Sequence, residues 1–338
     1  MKKDFEKILK LLQSPKKIVI TTHRSPDGDA IGSSLALYDI LLKLNHHVSV
    51  ITPNDSPTFL HWMKGYDKVL QYELNKDKAT NKTLEADIVF LLDMNSIERV
   101  GEYKVVLKES NAIKIMLDHH QNPDYDSADI IISEPNRSST CELLYDFVSQ
   151  LGLTHLIDSE SSECIYAGIM TDTGSFKFPS TTESTHKIVS DLINIGADNA
   201  KIHDFIYDTF TFDRLKLLGY CINEKLTVLS EYNTAYISLN ERELNNFNFK
   251  KGDTEGIVNY ALAIKNIIFA IFIVEKEGQV KLSFRSKGDF RVDLFAKDYF
   301  NGGGHINASG GVSKYNLEKT IKYLIEMINK DKKKLIKN

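Results

Sequence analysis

The sequence predicts an α/β fold: a parallel-sheet domain with helices on both faces, followed by a smaller α+β C-terminal domain. Three observations carry this. Short runs that are apolar throughout alternate with helical patterns across the first part of the chain, the texture of strands covered on both faces. Several of those runs end in Asp or His, and open α/β sheets hold their ligand sites at the carboxyl ends of strands. Later the pattern changes to strands that follow one another closely, one pair joined by a hairpin-like turn at Glu277-Gly278. The expected domains are 1–195, a helical linker at 196–225, and 226–338.

The 338 residues suit one large or two ordinary domains, and 42% hydrophobic residues suffice for buried cores. A net charge of −4 does not suit a protein that coats long DNA or RNA, although a local basic site can still hold a small anion. Cys141, Cys164 and Cys221 are odd in number and far apart, which fits a reducing compartment and no zinc motif. No apolar run reaches about 18 residues, so no membrane span is expected. The start, Met1-Lys2-Lys3-Asp4, has no long apolar run behind it, so no signal peptide is expected and the anticipated address is the cytoplasm.

Phe5, Ile8, Leu9 and Leu12 fall at helical spacing and predict an opening helix over 2–13. Ile18-Val19-Ile20-Thr21 reads as a buried strand, and the apolar positions from Leu35 to Leu44 read as a helix. Between them stands Thr22-His23-Arg24-Ser25-Pro26-Asp27-Gly28-Asp29. One His and two Asp in a loop leaving a strand suit a borderline-to-hard divalent metal. A turn at Asp27-Gly28 with Asp29 as helix N-cap accounts for the same residues equally well. Strands are also expected at 46–52, 86–93, 113–120 and 129–133, the third and fourth of the sheet ending in Asp93 and in Asp118-His119-His120. His46 and His47 are expected as surface or cap residues. Helices follow over 138–148 and 159–170, the latter running into Thr171-Asp172-Thr173-Gly174; a buried helix end carrying Asp needs a partner for its charge. A further helix is expected over 182–196 and one or two connecting helices over 204–223.

In the second half, strands are expected at 226–229, 234–239, 267–274 and 280–285, with a closing helix over 317–328 and a lysine-rich tail capping it. Arg285 ends a strand, and Asn301 to Gly311 is expected as a Gly-rich loop around His305. Glycines expose backbone N–H groups to an anion, and Arg and His add charge-assisted donors to phosphate.

Taken in order, Thr22-His23 with Asp27-Gly28-Asp29, Leu92-Asp93, Asp118-His119-His120 and Thr171-Asp172-Thr173-Gly174 resemble the four motifs of the DHH phosphoesterase family. Gly302-Gly303-Gly304-His305 resembles the loop of the DHH-associated C-terminal domain. The resemblance spans about 20–312. Ser138-Ser139-Thr140-Cys141-Glu142-Leu143 and Thr171 to Phe178 are similar to the short oligoribonuclease and pAp phosphatase branch. It implies two Mn2+ ions in the first domain, one held by His23, Asp27 and Asp93, the other by Asp29, Asp93, His119 and Asp172, with Asp93 bridging. It further implies that His120 contacts substrate phosphate, that Asp118 orients the His ligands, and that Arg285, Gly303, Gly304 and His305 bind substrate, with the site in the cleft between domains. Mixed His and carboxylate ligands lean away from magnesium.

The implied activity is manganese-dependent hydrolysis of short single-stranded RNA to mononucleotides and of pAp to AMP, by water activated between two metals. A phosphodiesterase for linear pApA or cyclic di-AMP is the alternative, and a non-catalytic nucleotide sensor is the rival of another class. Family II pyrophosphatases should lack the Gly-Gly-Gly-His segment. Long single-strand exonucleases usually add a further nucleic-acid-binding domain. No long duplex and no membrane partner is expected, and a homodimer is left open.

Overall fold

Among residues 2–336, which the computed structural model describes, the first unit runs to Thr209 and the second starts at Phe210. The first unit holds six strands: β1 (Lys17–Thr22), β2 (His47–Thr52), β3 (Leu70–Gln71), β4 (Ile88–Leu92), β5 (Ile113–Asp118) and β6 (Ile130–Ser133). All pair in parallel, in the order β3-β2-β1-β4-β5-β6. This is the doubly wound order, and the chain reverses its direction of winding between β1 and β4.

Period-two alternation divides each strand between two cores. Ile18, Ile20, Ile88, Phe90, Leu92, Ile115 and Leu117 face a large core on one side. Val19, Val89, Leu91 and Met116 face a smaller one on the other. The large core is covered by helices α1 (Lys2–Leu11) and α2 (Gly28–Lys43) and by elements that come late in the unit. The small core is covered by α3 (Lys76–Leu84) and α4 (Lys104–Glu109) with the 3-10 turn Ile97–Tyr103. The late elements are α5 (Thr140–Gln150), α6 (Ser159–Asp172), α7 (Glu183–Ile195) and α8 (Asn199–Tyr207).

The stretch anticipated as a separate linker is divided. Ile202 and Ile206 of α8 join the large core of the first unit, while α9 (Phe212–Tyr220) and a π-helical turn at Cys221–Lys225 place Leu217 and Cys221 in the second. Two further readings change. His46 is buried and not a surface residue, but it does cap: its backbone N–H donates to the Leu41 carbonyl of α2 at 3.2 Å while its Nδ1 accepts from the Lys16 N–H at 3.2 Å. The two-residue strand β3 is too short for any periodicity to reveal.

The second unit is a six-stranded mixed sheet of β7 (Leu226–Leu229), β8 (Thr234–Leu239), β9 (Phe269–Lys276), β10 (Gln279–Ser286), β11 (Gly303–His305) and β12 (Ala308–Ser313). Its order is β11-β12-β10-β9-β8-β7, antiparallel except for β8 with β9. Helices α10 (Glu241–Asn246) and α11 (Ile257–Ala263) cover one face, where Ala270 and Phe272 point. Helices α12 (Val292–Phe300), α13 (Leu317–Lys330) and α14 (Lys332–Ile336) cover the other, with Phe269, Ile271 and Phe284. The hairpin turn falls at Glu277 and Gly278, both left-handed at φ 53° and 71°. The Gly-rich segment is not a loop. It is a β-hairpin, Gly303 opposite Gly310 and His305 opposite Ala308. The lysine-rich tail is itself a short helix, held where Asn233 donates to the Leu335 carbonyl at 3.0 Å.

Candidate metal centre

The doubly wound order predicts a crevice where the carboxyl ends of β1 and β4 part, and the candidate residues gather there. The loop after β1 presents His23 and Asp27. Asp27, not Asp29, is the N-cap of α2, its Oδ1 accepting from the backbone N–H groups of Asp29 and Ala30, both at 3.1 Å. Asp29 therefore lies inside the first turn, buried, and points away from the cap. Residue 93 leaves β4 in a left-handed conformation, φ 58°, which turns its carboxylate back over the strand ends. Such a backbone costs on the order of 1–3 kcal/mol for a residue with a side chain, and persists where the surroundings demand it.

Asp93 is the hub. Its Oδ2 lies 3.3 Å from His23 Nε2. Its Oδ1 lies 3.6 Å from His119 Nε2. Asp27 Oδ2 is 3.9 Å from His23 Nε2 on the first side. On the second, His119 Nε2 is 3.8 Å from Asp29 Oδ2 and 3.3 Å from Asp172 Oδ2. Asp172 is the last residue of α6, where a negative charge opposes the helix dipole and so needs another reason to be there. Among the groups of three ligand atoms within 4.8 Å of one another are His23–Asp27–Asp93, Asp29–Asp93–His119 and Asp93–Asp118–His120.

Both imidazoles are turned correctly for ligation. His23 Nδ1 is 3.0 Å from the Arg24 carbonyl, and His119 Nδ1 is 3.2 Å from the Arg137 carbonyl. A carbonyl only accepts, so each Nδ1 carries a proton and each Nε2 faces the carboxylates, the nitrogen that would bind a cation. This differs from the expectation that Asp118 orients the ligand histidines. Asp118 is fully buried and holds His120 instead, accepting from its Nδ1 at 2.7 Å and its backbone N–H at 3.1 Å. Two residues apart on one strand end, their side chains meet directly, and the His119 ring packs edge-on against His120 with 4.9 Å between centroids.

The electrostatics ask for cations. Burial, then the charges of Asp93 and Asp172, push the Asp29 carboxyl well above the usual range. Burial also pushes Asp93 up, but the His23 hydrogen bond and its imidazole neighbours hold it well below that range. Burial lowers His119, and Asp172, Asp29 and Asp93 more than reverse that, raising it to about 9. Buried carboxylates that compete for two imidazoles, with N and O donors converging, fit one or more divalent ions.

Several participants carried no sequence signal of their own. The amino end of α5 supplies backbone donors to Asp29, from Thr140 at 2.6 Å and from Cys141 at 2.8 Å, and Thr140 Oγ1 donates to Asp93 Oδ1 at 3.0 Å. These are N–H groups that every helix start must satisfy. Ser139 caps that start, its Oγ accepting from the Glu142 N–H at 2.9 Å. Close helix packing delivers Asp29 to this point: a Cβ at Gly28 would lie 2.3 Å from Thr171 Oγ1 of α6.

In the second unit, Arg285 and His305 sit on strands flanking β12, both opposite Ala308. Cross-strand partners share a face, so both point to one side of the sheet about 10 Å apart, two strand spacings. Gly303 and Gly304 belong to the same hairpin.

The DHH family N-terminal domain matches residues 17–169, and the DHHA1 domain matches residues 231–331. The bifunctional oligoribonuclease and PAP phosphatase NrnA of Bacillus subtilis (strain 168) is 30% identical over 298 residues, 87% of this chain and 88% of its own length. The chain belongs to the DHH phosphoesterase family. It is a hydrolase of phosphoric ester bonds. A crystal structure of an exopolyphosphatase-related protein from Bacteroides fragilis superposes with a TM-score of 0.95 at 40% identity, covering 99% of this chain and 98% of that one. The cyclic-di-AMP phosphodiesterase GdpP of Bacillus subtilis (strain 168) is 24% identical over 333 residues, 94% of this chain and 48% of its own length. No helix among the described residues is long and apolar enough to cross a membrane.

Proposed function

We propose that this DHH protein is a two-metal, manganese-dependent phosphoesterase that hydrolyses short RNA oligonucleotides to mononucleotides and removes the 3′-phosphate of pAp. The observation that carries the reading is the two-sided Asp93 carboxylate, with His23 Nε2 3.3 Å from one oxygen and His119 Nε2 3.6 Å from the other. His23, Asp27 and Asp93 would hold one ion, and Asp29, Asp93, His119 and Asp172 the second. Bound there, the ions would lower the pKa of a water and neutralise charge on the phosphoryl oxygens.

The chain's own groups do the remaining work. The carbonyls of Arg24 and Arg137 fix the ligand tautomers. The amino end of α5 holds Asp29 and Asp93 in place before any substrate arrives. Asp118 accepts from His120 Nδ1 and fixes the ring, and His120 is the proposed phosphate contact of the first unit. Arg285, Gly303, Gly304 and His305, gathered on one part of the second sheet, are the proposed nucleotide-binding residues.

The NrnA relative supports the pairing of RNA and pAp as substrates, and the GdpP relative favours, as a second reading, linear pApA or cyclic di-AMP. A product-resolved assay with Mn2+ separates them, using pAp, pApA, a short RNA oligonucleotide and cyclic di-AMP. AMP from pAp together with mononucleotides from RNA is expected. Turnover of cyclic di-AMP alone would favour the second reading, and turnover of none would favour a nucleotide sensor.

A further inference from the structure

Six residues after Asp93, Arg99 stands in the 3-10 turn Ile97–Tyr103 that follows β4. Its backbone is fixed. Ser96 caps the turn by accepting from the Glu98 N–H, and the Arg99 carbonyl accepts from the Arg24 N–H at 2.8 Å, tying this turn to the loop that bears His23 and Asp27. The side chain reaches back over the strand ends. Arg99 Nη1 lies 3.1 Å from His120 Nε2 and 3.4 Å from the Asp93 carbonyl.

The chemistry of these contacts is unusual for an arginine. A guanidinium has only donors, so His120 Nε2 must accept from it. That agrees with the Asp118 contact, which puts the His120 proton on Nδ1. Arg99 is half-buried, yet among the described residues it forms no ion pair with a carboxylate. A half-buried arginine usually meets a carboxylate or a phosphate, because its planar fork of donors suits both. Here its donors go to a neutral ring nitrogen and a carbonyl, next to a centre whose substrate is an anion.

We propose that Arg99 is a phosphoryl-binding residue: on substrate entry its guanidinium exchanges the His120 Nε2 contact for a non-bridging oxygen of the scissile phosphoryl group. The inference rests on the phosphoesterase reading of the site. The exchange is one of hydrogen bonds, with no proton transferred. It gives the first unit a cation of its own for the reacting phosphate, separate from the nucleotide-binding residues proposed for the second. A contact to the scissile group is common to every substrate, so its loss should be felt equally by pAp and by RNA of any length.

The test uses the full chain loaded with Mn2+, as wild type, Arg99→Gln and Arg99→Lys. Removing one donor to a developing charge typically costs about 100-fold or more in rate. Arg99→Gln should lose roughly that in kcat/KM on pAp and on a short RNA alike, with metal content and melting temperature unchanged. Arg99→Lys should restore only part, lacking the fork. Inorganic phosphate binding, followed by calorimetry, should be at least about tenfold weaker in Arg99→Gln, in keeping with the loss of a charge-assisted hydrogen bond. Equal phosphate affinity in wild type and Arg99→Gln would overturn the proposal whatever the activities. Loss of metal along with activity would also overturn it, since Arg99 would then serve the fold. If the wild type hydrolyses no nucleotide but phosphate affinity still falls in Arg99→Gln, the substrate reading fails and the phosphoryl contact stands.

Discussion

On the Oδ2 side of Asp93, His23 and Asp27 come from one loop, and the Asp27 side chain is 58% exposed. On the Oδ1 side, Asp29, His119 and Asp172 come from three elements packed together, and Asp29 is 1% exposed with both oxygens taken by N–H donors of α5. The first side is an open arm that solvent can reach. The second is a socket built before any ligand arrives. Pre-organisation reduces what binding must spend on ordering, so the socket should hold its ion more tightly and the open arm should exchange first. Asp27 also serves two purposes at once, capping α2 with Oδ1 while Oδ2 faces His23.

The largest effect should come from the shared hub. Asp93→Ala removes oxygen from both sides, and hydrolysis should fall by more than about 1,000-fold, with both ions lost on dialysis. Asp93→Asn tests the asymmetry, and Asn tolerates the left-handed backbone of φ 58° better than Ala. Thr140 Oγ1 donates to Oδ1, so the amide oxygen should settle there and the amide nitrogen should face His23. The socket would keep an ion and the open arm would lose its own. Metal analysis finding two ions, or the reverse retention, would break the comparison.

The second effect should be confined to the socket. A Cβ at Gly168 of α6 would lie 2.2 Å from Cys141 Sγ and 3.0 Å from Asp29 Oδ1. Gly168→Ala should therefore push α5 and Asp29 off their positions, destabilising the first unit by about 1–3 kcal/mol and lowering its melting temperature. Affinity for one ion should fall roughly 10–100-fold while the other is retained. Equal weakening of both would mean that the two sides do not behave as separate sites.

The same contrast explains what the sequence disclosed. Residues that act through their own side chains at strand ends, His23, Asp93 and His119, announced themselves as polar stops on apolar runs. The parallel sheet was equally legible, because strands buried on both faces are apolar throughout. The socket was not. Thr140 and Cys141 contribute backbone N–H groups, which have no residue signature, and the carbonyls of Arg24 and Arg137 act the same way. Arg99 meets His120 only because β4 and β5 are neighbours in the sheet. In the second unit the glycines concealed a hairpin: with few side chains along 302–311 there was no alternation to read, and the strands are defined by pairing alone.

Proton uptake should give the smallest effect and the sharpest distinction between the sides. In the metal-free chain Asp172, Asp29 and Asp93, opposing burial, raise His119 to about 9, while an unperturbed histidine titrates near 6.5. His23 is also raised, burial again being outweighed by the Asp93 hydrogen bond and the Asp27 charge. A folded pKa above the unfolded one gives stability that is complete below about pH 6.5. That stability is lost as pH climbs through the folded value. For His119 the shift corresponds to on the order of 3 kcal/mol. The metal-free chain should therefore melt at progressively lower temperature from about pH 6.5 to 9. An ion in the socket must displace the His119 proton, so Mn2+ uptake near neutral pH should release protons and grow tighter as pH rises. Calorimetry in buffers of different ionisation enthalpy reads the proton count directly. In Gly168→Ala, where Asp29 no longer supports His119, the proton released per ion should fall and the melting curve should flatten over the same pH range. An unchanged proton count in that variant would place the raised imidazole on the open arm and reverse the assignment of tight and loose sides.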